Sequence, residues 1–541
     1  MTRVAWVAGA AWFLLAAGLI VWLFGSPDRT ALQAPDEVAT ARGALLVADH
    51  GTPTDPVAFD DPTGLARMRM WVQAGDQHVA SVPATAQYVY GLPRAVPGGA
   101  WVAFVLPALG VGALAAGACT VLDRSRWLGA LVPGLAFPAL YWMLRPWHNV
   151  SLELALTGLV VAAFAVFARA RRRAWALAGI ALATGAALVR PDHVHLLLGL
   201  PLVWSVALDP GRWRRWVGWH AGATVVWVLG VVVGNLATTG QPLVTPVDLL
   251  DFPSAVTPVG RDLPFPLPQL LLVLAPRGWP DWSLVADQLG RYWLGLWPAV
   301  GVVLSGLVAS AWFAVRAWRQ RRPLDLAVTA SVLALVWHAI SRVSATDLGA
   351  TAPHGALVHS YPRYTALVYV GFALVAVAAA AGIADRRWRG AAGVTLAAFA
   401  LLGVQSMFPA PIQEDGLVAL RSVLREADAY AAAVAAQLPP DAIVYSRRVD
   451  KYVWGSHPVG TFQDERVPEG VGPVAFDRLP RSFRAAIDAG FAPYLLELTP
   501  DLVGPMRDAL EPLGLRLEAT GIELPEVTGI PDPPVYRVVE G

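Results

Sequence analysis

The stretch "VAAFAVFARARRRAWALAGIALATGAALVRPD", residues 161–192, places a cluster of arginines between two apolar runs. Each run approaches the length of about 20 residues that an α-helix needs to cross the hydrocarbon core of a bilayer. Cytoplasmic loops of membrane proteins carry an excess of Lys and Arg. The stretch therefore predicts two membrane helices that are joined on the cytoplasmic side, and the rest of the chain repeats this pattern.

The composition agrees with a membrane protein that crosses the bilayer many times. The chain has 541 residues, of which 56% are hydrophobic and 15% are charged, whereas a soluble domain carries about 25% charged residues. The net charge of +1 indicates no bulk polyanion such as nucleic acid as a partner. Cys119 is the single cysteine, which excludes intrachain disulfides and cysteine-cluster metal sites.

Apolar segments of bilayer length recur along the chain, and we predict about eleven spans. They are 4–24, 100–122, 127–144, 150–168, 174–189, 194–208, 217–237, 290–315, 324–342, 364–384 and 391–408. The pair 174–189 and 194–208 is short, so a re-entrant hairpin is an alternative there. That alternative changes the sidedness of no other segment.

Five arginine clusters fall in alternate loops between these spans, and the positive-inside rule places all five in the cytoplasm. They are Arg124 and Arg126; Arg169, Arg171, Arg172 and Arg173; Arg212, Arg214 and Arg215; Arg316, Arg319, Arg321 and Arg322; and Arg386, Arg387 and Arg389. Lys451 is the one lysine among the 41 basic residues, which suggests a GC-rich bacterial genome. We therefore predict a multi-pass protein of the bacterial plasma membrane.

The N-terminal apolar run resembles a signal peptide, but residues 4–24 are long enough to span and no clear Ala-x-Ala site follows. We predict a retained first helix with a cytoplasmic N-terminus. The loops 25–99, 238–289 and 343–363, and everything after residue 409, then face outward.

The tail changes character and predicts an extracytoplasmic α/β domain over residues 413–541, after a membrane domain of residues 1–412 that includes the loop 25–99. "AIVYS", "YLLEL", "LRLEATGI" and "VYRVVE" are predicted strands, and "PDLVGPMRDALEPLG" is predicted as a helix opened by Pro and closed by Gly.

Two adjacent carboxylates, Asp36 and Glu37, follow the first span in "APDEVATARGALLVADHG", residues 34–51. One interpretation is a helix start, where carboxylates match the positive end of the helix dipole. The other is an acid/base centre just outside the bilayer, beside a substrate carried by lipid. The segment alone does not decide between them.

Outward-facing arginines lie at the ends of three predicted spans, on the side where the positive-inside rule expects few cations. They are Arg145 in "LRPWHN" with His148, Arg190 in "VRPDHVH", and Arg363 in "HSYPRY" with His359 and Tyr364. An Arg within a span costs about 2.5–3.5 kcal/mol on insertion scales. Snorkelling to outer headgroups is one explanation, and recognition of phosphate by guanidinium is the other.

Glu153 lies about one turn into the span 150–168. A carboxylate inside a span is a functional candidate. It either pairs structurally with Arg145 or Arg190, or it lines the active cavity, and the sequence leaves both open.

Several short motifs follow one another along the chain in a recognisable order. They are "PDE" with "AR" and "ADHG", then "RPWHNVSLE", "LAGIALATGAALVRPD" and "YPRY", and last an α/β tail. Together they resemble the polytopic C-type glycosyltransferases (GT-C). Within them the similarity is to the families that use lipid-phosphate sugars, which are related to protein O-mannosyltransferases and aminoarabinose transferases. The similarity covers residues 1–410.

The resemblance implies a GT-C-like fold and an inverting transfer from a polyprenyl-phosphate sugar to an extracytoplasmic acceptor. Asp36 would be the general base, and Glu37 would support it or bind a divalent metal ion, for which no ligand set is named. Arg363 and Arg190, with Arg145 and His148 behind them, would stabilise the phosphate leaving group. No Walker loop or other nucleotide fingerprint is present, so we expect no nucleotide cofactor.

Two other functions remain open from the sequence. A lipid or solute transporter would use Glu153 and Arg190 as a translocation path, and a non-catalytic envelope-assembly protein would retain the fold without the chemistry.

Overall fold

The computed structural model describes residues 2–68, 71–122, 125–242, 244–246, 282–343, 360–409, 416–462, 474–528 and 534–541. The chain divides into two compact units. The first comprises Met1–Trp22, Trp101–Val232 and Thr257–Val418, and the second comprises Leu23–Ala100, Val233–Val256 and Ala419–Gly541. Arg124, His359 and most of the predicted loops 238–289 and 343–363 lie outside the described residues.

The secondary structure of these residues is mostly helical. The α-helices are α1 (Arg3–Phe24), α2 (Pro35–His50), α3 (Ala84–Arg94), α4 (Val102–Val121), α5 (Val132–Leu135), α6 (Phe137–Met143), α7 (Asn149–Ala170), α8 (Arg173–Val189), α9 (Val194–Leu208), α10 (Trp213–Thr239), α11 (Trp282–Leu289), α12 (Ala299–Gln320), α13 (Pro323–Val343), α14 (Ser360–Tyr364), α15 (Ala366–Gly382), α16 (Arg386–Ser406), α17 (Leu417–Gln437), α18 (Asp450–Val453), α19 (Leu479–Asp488) and α20 (Pro500–Leu510). The strands are β1 (Thr54–Pro56), β2 (Trp71–Ala74), β3 (Gln77–Ala80), β4 (Ala442–Ser446), β5 (Val459–Thr461), β6 (Ala492–Leu495), β7 (Leu515–Ala519) and β8 (Tyr536–Glu540).

Seven helices of the described residues are long and apolar enough to cross a membrane: Arg3–Phe24, Gly99–Val121, Asn149–Ala170, Pro191–Leu208, Pro210–Thr239, Ala299–Gln320 and Pro323–Ser341. Two further apolar helices, Arg173–Val189 and Ala366–Gly382, are shorter. The chain is thus a multi-pass membrane protein, while the predicted total of about eleven spans stays a prediction.

The predicted span 127–144 is not one continuous helix. The chain there forms a 3₁₀ turn at Arg126–Leu131, followed by the short helices α5 and α6. Pro133 and Pro138 each lie in the first turn of a short helix, because proline has no N–H to continue the helix before it. The predicted start of the span 290–315 is also wrong, since Pro298 precedes α12.

Close helix packing in the first unit depends on small residues. α4 packs on α7, and α7 packs on α8. A Cβ added at Gly158 would lie 2.1 Å from the carbonyl oxygen of Gly110, and one at Gly110 would lie 2.3 Å from the Cα of Ala155. Only glycine permits this approach, as in other membrane helix pairs with small residues at the contact. The contact fixes α7, whose first turn carries polar side chains of the site.

A five-stranded sheet organises the second unit in the order β5-β4-β6-β8-β7. β4 runs parallel to both β5 and β6, whereas β8 is antiparallel to β6 and β7. The predicted strand "AIVYS" coincides with β4, and the predicted helix from Pro500 coincides with the start of α20. Every residue of β4 and β6 is buried, as is typical of strands covered on both faces.

The loop 25–99 packs with the C-terminal segment in the second unit. The sequence had predicted it as part of the membrane domain of residues 1–412. It forms a three-stranded antiparallel sheet in the order β1-β3-β2. Phe59, Leu65 and Ala66 join Tyr445, Phe483 and other tail side chains in one hydrophobic core. The loop is therefore a structural part of this unit.

Asp61 links the loop to the tail through a carboxylate whose two oxygens each accept two hydrogen bonds. Its Oδ1 accepts hydrogen bonds from the backbone N–H (2.9 Å) and hydroxyl (2.7 Å) of Thr63. Its Oδ2 accepts from the Ala66 N–H (2.7 Å) and from the Ser482 hydroxyl (2.9 Å). Ser482 also shares a 2.8 Å hydrogen bond with the Tyr445 hydroxyl, so the network reaches from the loop into β4.

Candidate functional site

Two arginines of the first unit lie over one aromatic ring. The Cζ atoms of Arg190 and Arg363 are each 4.9 Å from the ring centroid of Tyr364. Arg363 also donates a 3.3 Å hydrogen bond to the Tyr364 hydroxyl. Arg190 is 4% exposed, and such a cation is costly to bury in a helical membrane unit without a reason.

A second ring brings Arg145 to the same place. The Cζ of Arg145 is 4.9 Å from the ring of Trp142, and that of Arg363 is 5.8 Å from it. His148 precedes α7, packs edge-on against Trp142 and places its Nε2 3.4 Å from Nη1 of Arg363. We call Arg145, Arg190, Arg363, His148, Trp142 and Tyr364 the arginine cluster.

Glu153 and His193 orient one member of this cluster. The Glu153 Oε1 lies 2.5 Å from Nδ1 of His193, and both side chains are 1% exposed. The other ring nitrogen of His193 lies 3.3 Å from Nη2 of Arg190. Because guanidinium only donates, Nε2 of His193 accepts from Arg190, and Nδ1–H donates to Glu153. Glu153 thus acts on Arg190 through His193 and does not pair with Arg145 or Arg190 directly.

Asp192 provides the ion pair of Arg190. Its two carboxylate oxygens each lie 3.2 Å from a nitrogen of the guanidinium. The fork geometry fixes the plane of Arg190.

Two further histidines continue the polar chain. The His338 ring packs edge-on against His193 with centroids 4.6 Å apart, and its Nδ1 lies 3.3 Å from Nε2 of His195. Its Nε2 donates a 3.0 Å hydrogen bond to the Tyr364 carbonyl. Glu153 and three histidines therefore pack in a chain beside the arginine cluster.

In the second unit, Asp36 and Glu37 occupy the first turn of α2, which begins at Pro35. Glu37 is fully buried, and its Oε2 accepts a 3.1 Å hydrogen bond from the Ala34 N–H. This bond satisfies one of the N–H groups that a helix start leaves without an intrahelical partner. Asp36 is half-buried. The structure therefore shows a helix start at these residues, and Glu37 caps its first turn.

The sequence-predicted residues fall into two groups. The first unit brings together Arg145, Arg190, Arg363, His148, Tyr364 and Glu153, while Asp36 and Glu37 lie in the second unit. His359 lies outside the described residues.

Sequence reasoning missed Trp142, His338 and the role of His193. Trp142 looks like any apolar residue of its segment. The detectable signals were a histidine inside the apolar span 324–342 and the histidines in "RPDHVH".

No group of three or more His, Cys, Asp or Glu side chains among the described residues is arranged to hold a metal ion. The divalent ion that the resemblance allows stays a prediction.

Together these features define a multi-pass helical membrane protein with a buried cationic site in its helical unit and a second unit that carries the carboxylate pair. No protein-family model matches the sequence, and no curated protein matches it. Solved structures do match. ArnT from Cupriavidus metallidurans bound to undecaprenyl phosphate is 16% identical, with a TM-score of 0.50 over 99% of this chain and 98% of that one.

The apo state of the same ArnT gives 18% identity and a TM-score of 0.49, over 98% of each chain. The archaeal oligosaccharyltransferase AglB from Archaeoglobus fulgidus, in complex with an inhibitory peptide and a dolichol-phosphate, gives 11% and 0.46 over 93% of this chain and 72% of that one. The full-length match to undecaprenyl-phosphate-bound ArnT shows a shared fold. The resemblance predicted from the sequence is thus confirmed at the level of the fold.

Proposed function

We propose that this protein is a membrane glycosyltransferase that transfers a sugar from a polyprenyl-phosphate donor to an extracytoplasmic acceptor. The observation that carries the proposal is the arginine cluster, in which Arg190 and Arg363 share the ring of Tyr364. Guanidinium groups in a buried helical setting suit a phosphate carried by a lipid. The solved ArnT with the same fold was bound to undecaprenyl phosphate, which supports this ligand class.

The arginine cluster would act on the leaving group. When the bond between the anomeric carbon and the phosphate oxygen breaks, negative charge grows on the lipid phosphate. Fixed cations that meet this charge lower the barrier, since they need no reorganisation at that moment. Asp192 and His193 fix Arg190, while Tyr364 and Trp142 position Arg363.

Asp36 would take the proton of the acceptor hydroxyl as it attacks the anomeric carbon, and a single displacement inverts that centre. The helix dipole stabilises negative charge at a helix start, and a general base contributes about 10²–10⁴-fold in rate. Glu37 is a positioning residue for this turn through its bond to Ala34. The mechanism uses the chain's own side chains; a divalent ion remains a separate proposal without assigned ligands.

The sidedness follows from the arginine loops in the sequence and belongs to the proposal. The second unit and the arginine cluster would face the outside, with the N-terminus in the cytoplasm. A reporter fused after Gly541 is expected to be active outside the cytoplasm, and a cytoplasmic signal would overturn this topology.

The test uses the full chain in nanodiscs with a panel of polyprenyl-phosphate hexoses and pentoses and a cell-envelope fraction as acceptor source. Release of polyprenyl phosphate and sugar transfer are measured together. Asp36→Asn is expected to lower turnover about 10²–10⁴-fold, while binding of polyprenyl phosphate persists. Asp49→Asn, at an exposed position in the last turn of the same helix, is the matched control.

Arg363→Gln is expected to weaken binding of polyprenyl phosphate. Its control is Arg214→Gln, because Arg214 also lies over an aromatic ring, that of Trp213, but outside the cluster. Undiminished transfer by a folded Asp36→Asn protein would remove the base role. Uptake of substrate into sealed vesicles without any sugar transfer would show that the protein is a transporter and not a glycosyltransferase.

A further inference from the structure

The second unit contains a cavity of about 280 Å³ that the proposed mechanism does not use. Side chains from the loop 25–99 and from the tail line it. They include Arg42, Asp55, Trp71, His78, Trp454 and His457. The volume lies near the lower end of ligand sites, about 300–1,000 Å³, which suits one sugar-sized group better than a lipid chain.

Three of these side chains come from one face of the small sheet. Asp55 on β1 pairs directly with His78 on β3, and Trp71 on β2 pairs with Ala80. Because side chains alternate across a strand, Asp55, Trp71 and His78 lie on the same face. Val72 and Val79 lie on the opposite face and form an apolar cluster there. The sheet therefore directs its polar face into the cavity.

Arg42 fixes the carboxylate and joins the two indole rings. Its Nε donates a 2.8 Å hydrogen bond to Oδ2 of Asp55, and its Nη2 pairs with the same oxygen. Its Cζ lies 5.8 Å from the ring of Trp71 and 5.5 Å from that of Trp454. A guanidinium placed between two tryptophan rings has little freedom, so the cavity wall is preorganised.

Hydrogen-bonding capacity remains unused around this cavity. Among the described residues, Oδ1 of Asp55 accepts no hydrogen bond, because both bonds from Arg42 reach Oδ2. The indole N–H of Trp71 is buried and has no partner in the same part of the chain. A buried donor without a partner is destabilising, because it has lost its hydrogen bonds to water. A ligand that accepts from Trp71 and donates to Asp55 would satisfy both groups.

The polar groups of the lining suit a polyhydroxyl ligand. The Asp55 carboxylate offsets Arg42, and the second arginine of the lining, Arg67, donates to the backbone carbonyls of Gly64 and Trp71. Burial, followed by the nearby charges of Arg67 and Arg42, lowers the pKa of His78 to about 4. His78 is therefore neutral near pH 7 and offers one donor and one acceptor. A sugar hydroxyl also donates and accepts, so it matches these groups.

We infer that this cavity is a binding site for a neutral sugar residue, contributed by the glycan that accepts the transferred sugar. The assignment to the acceptor rests on the proposed function, whereas sugar binding itself does not. Asp55, Trp71 and His78 provide the hydrogen bonds, and Arg42 positions Asp55.

The test measures binding without catalysis. The full-length Asp36→Asn protein in nanodiscs, without donor, is titrated with neutral hexose and pentose oligosaccharides by calorimetry and saturation-transfer NMR. Binding by at least one neutral oligosaccharide is expected. His78→Ala is expected to weaken it on the order of tenfold, as for the loss of one or two hydrogen bonds. His50→Ala, an exposed histidine of the same unit, is the control.

Trp71→Phe is the second variant, because it removes the indole N–H that no described residue uses and keeps an aromatic ring. It is expected to weaken saccharide binding while the protein still folds. Failure of every neutral oligosaccharide to bind, preferential binding of hexose phosphates, or unchanged affinity in both variants would overturn the inference. A protein that binds saccharide but transfers no sugar contradicts only the proposed function, and a transferase without saccharide binding contradicts only this inference.

Discussion

Arg190 and Arg363, which are far apart in the sequence, place their guanidinium groups against the same ring, each with its Cζ 4.9 Å from the centroid of Tyr364. The aromatic ring partly offsets the repulsion between two like charges. The shared ring therefore favours the close approach of the two guanidinium groups, of which that of Arg190 is also paired with Asp192.

Replacement of the shared ring tests this relationship. Tyr364→Leu is expected to lower the affinity for polyprenyl phosphate about tenfold, since each cation–π contact is worth about 0.5–2 kcal/mol. Tyr364→Phe retains the ring and loses only the bond from Arg363, so its effect is expected to be smaller. Native mass spectrometry of the bound lipid measures both. Equal effects of the two variants would show that the ring does not organise the site.

Glu153→Gln tests the action of Glu153 on Arg190 through His193. An amide in place of the carboxylate no longer fixes which nitrogen of His193 carries the proton. We expect turnover to fall about tenfold and the donor KM to rise, as for a small misplacement of a catalytic group. Glu153→Asp is expected to rescue part of the loss. If thermal stability falls while kcat and KM stay unchanged, Glu153 is a structural residue only.

His78 makes the small sheet sensitive to acid. Burial lowers its pKa in the folded protein to about 4, whereas the unfolded chain has the ordinary value of about 6.5. Between these values the unfolded state binds more protons, so the stability present above pH 6.5 is lost as the pH falls toward 4.

Hydrogen exchange of β1, β2 and β3 in the range pH 7.5 to 4.5, compared between wild type and His78→Gln after correction for intrinsic exchange, measures this effect. The wild type is expected to lose protection relative to the variant as the pH falls. A constant difference would contradict the lowered pKa.

Asp61→Asn is expected to loosen the loop 25–99. The carboxylate accepts four hydrogen bonds, and an amide nitrogen cannot accept the two bonds of the oxygen that it replaces. A loss of about 2–4 kcal/mol follows from two unsatisfied buried donors. Limited proteolysis of the loop measures the change, with the exposed Asp60→Asn as control. Resistance equal to wild type would show that the Ser482 link is dispensable.

The membrane helices were the part of the fold that the sequence predicted best. A helix such as Arg3–Phe24 or Asn149–Ala170 is defined by its own apolar composition and length, which a local window detects. The segment 127–144 has the apolar content of a span, but Pro133 and Pro138 divide it into short helices. The prediction rested on hydropathy alone. The helix breaks at the two prolines because proline has no backbone N–H to continue the hydrogen bonding of a helix.

The second unit was harder to predict, because its determining contacts join residues distant in the sequence. Asp61 has no local pattern that indicates Ser482, and Leu65 has none that indicates its bond to Thr461. In the candidate site, Arg145, Arg190 and Arg363 were identifiable because the predicted topology places them on the outer side, where the positive-inside rule expects few cations. Trp142 was not, since a tryptophan in an apolar segment carries no signal of its own.

The links of the loop to the tail also have a consequence for the order in which the protein is made. Arg29, Arg42 and Asp61 find partners in Asp428, Trp454 and Ser482, which are 399, 412 and 421 residues downstream. A ribosome delivers these partners only near the end of translation. The helix that carries Asp36 is thus made early, whereas the partner of its Arg42 is made 412 residues later. An unfinished chain therefore lacks the tail side chains that hold the loop 25–99 in the second unit.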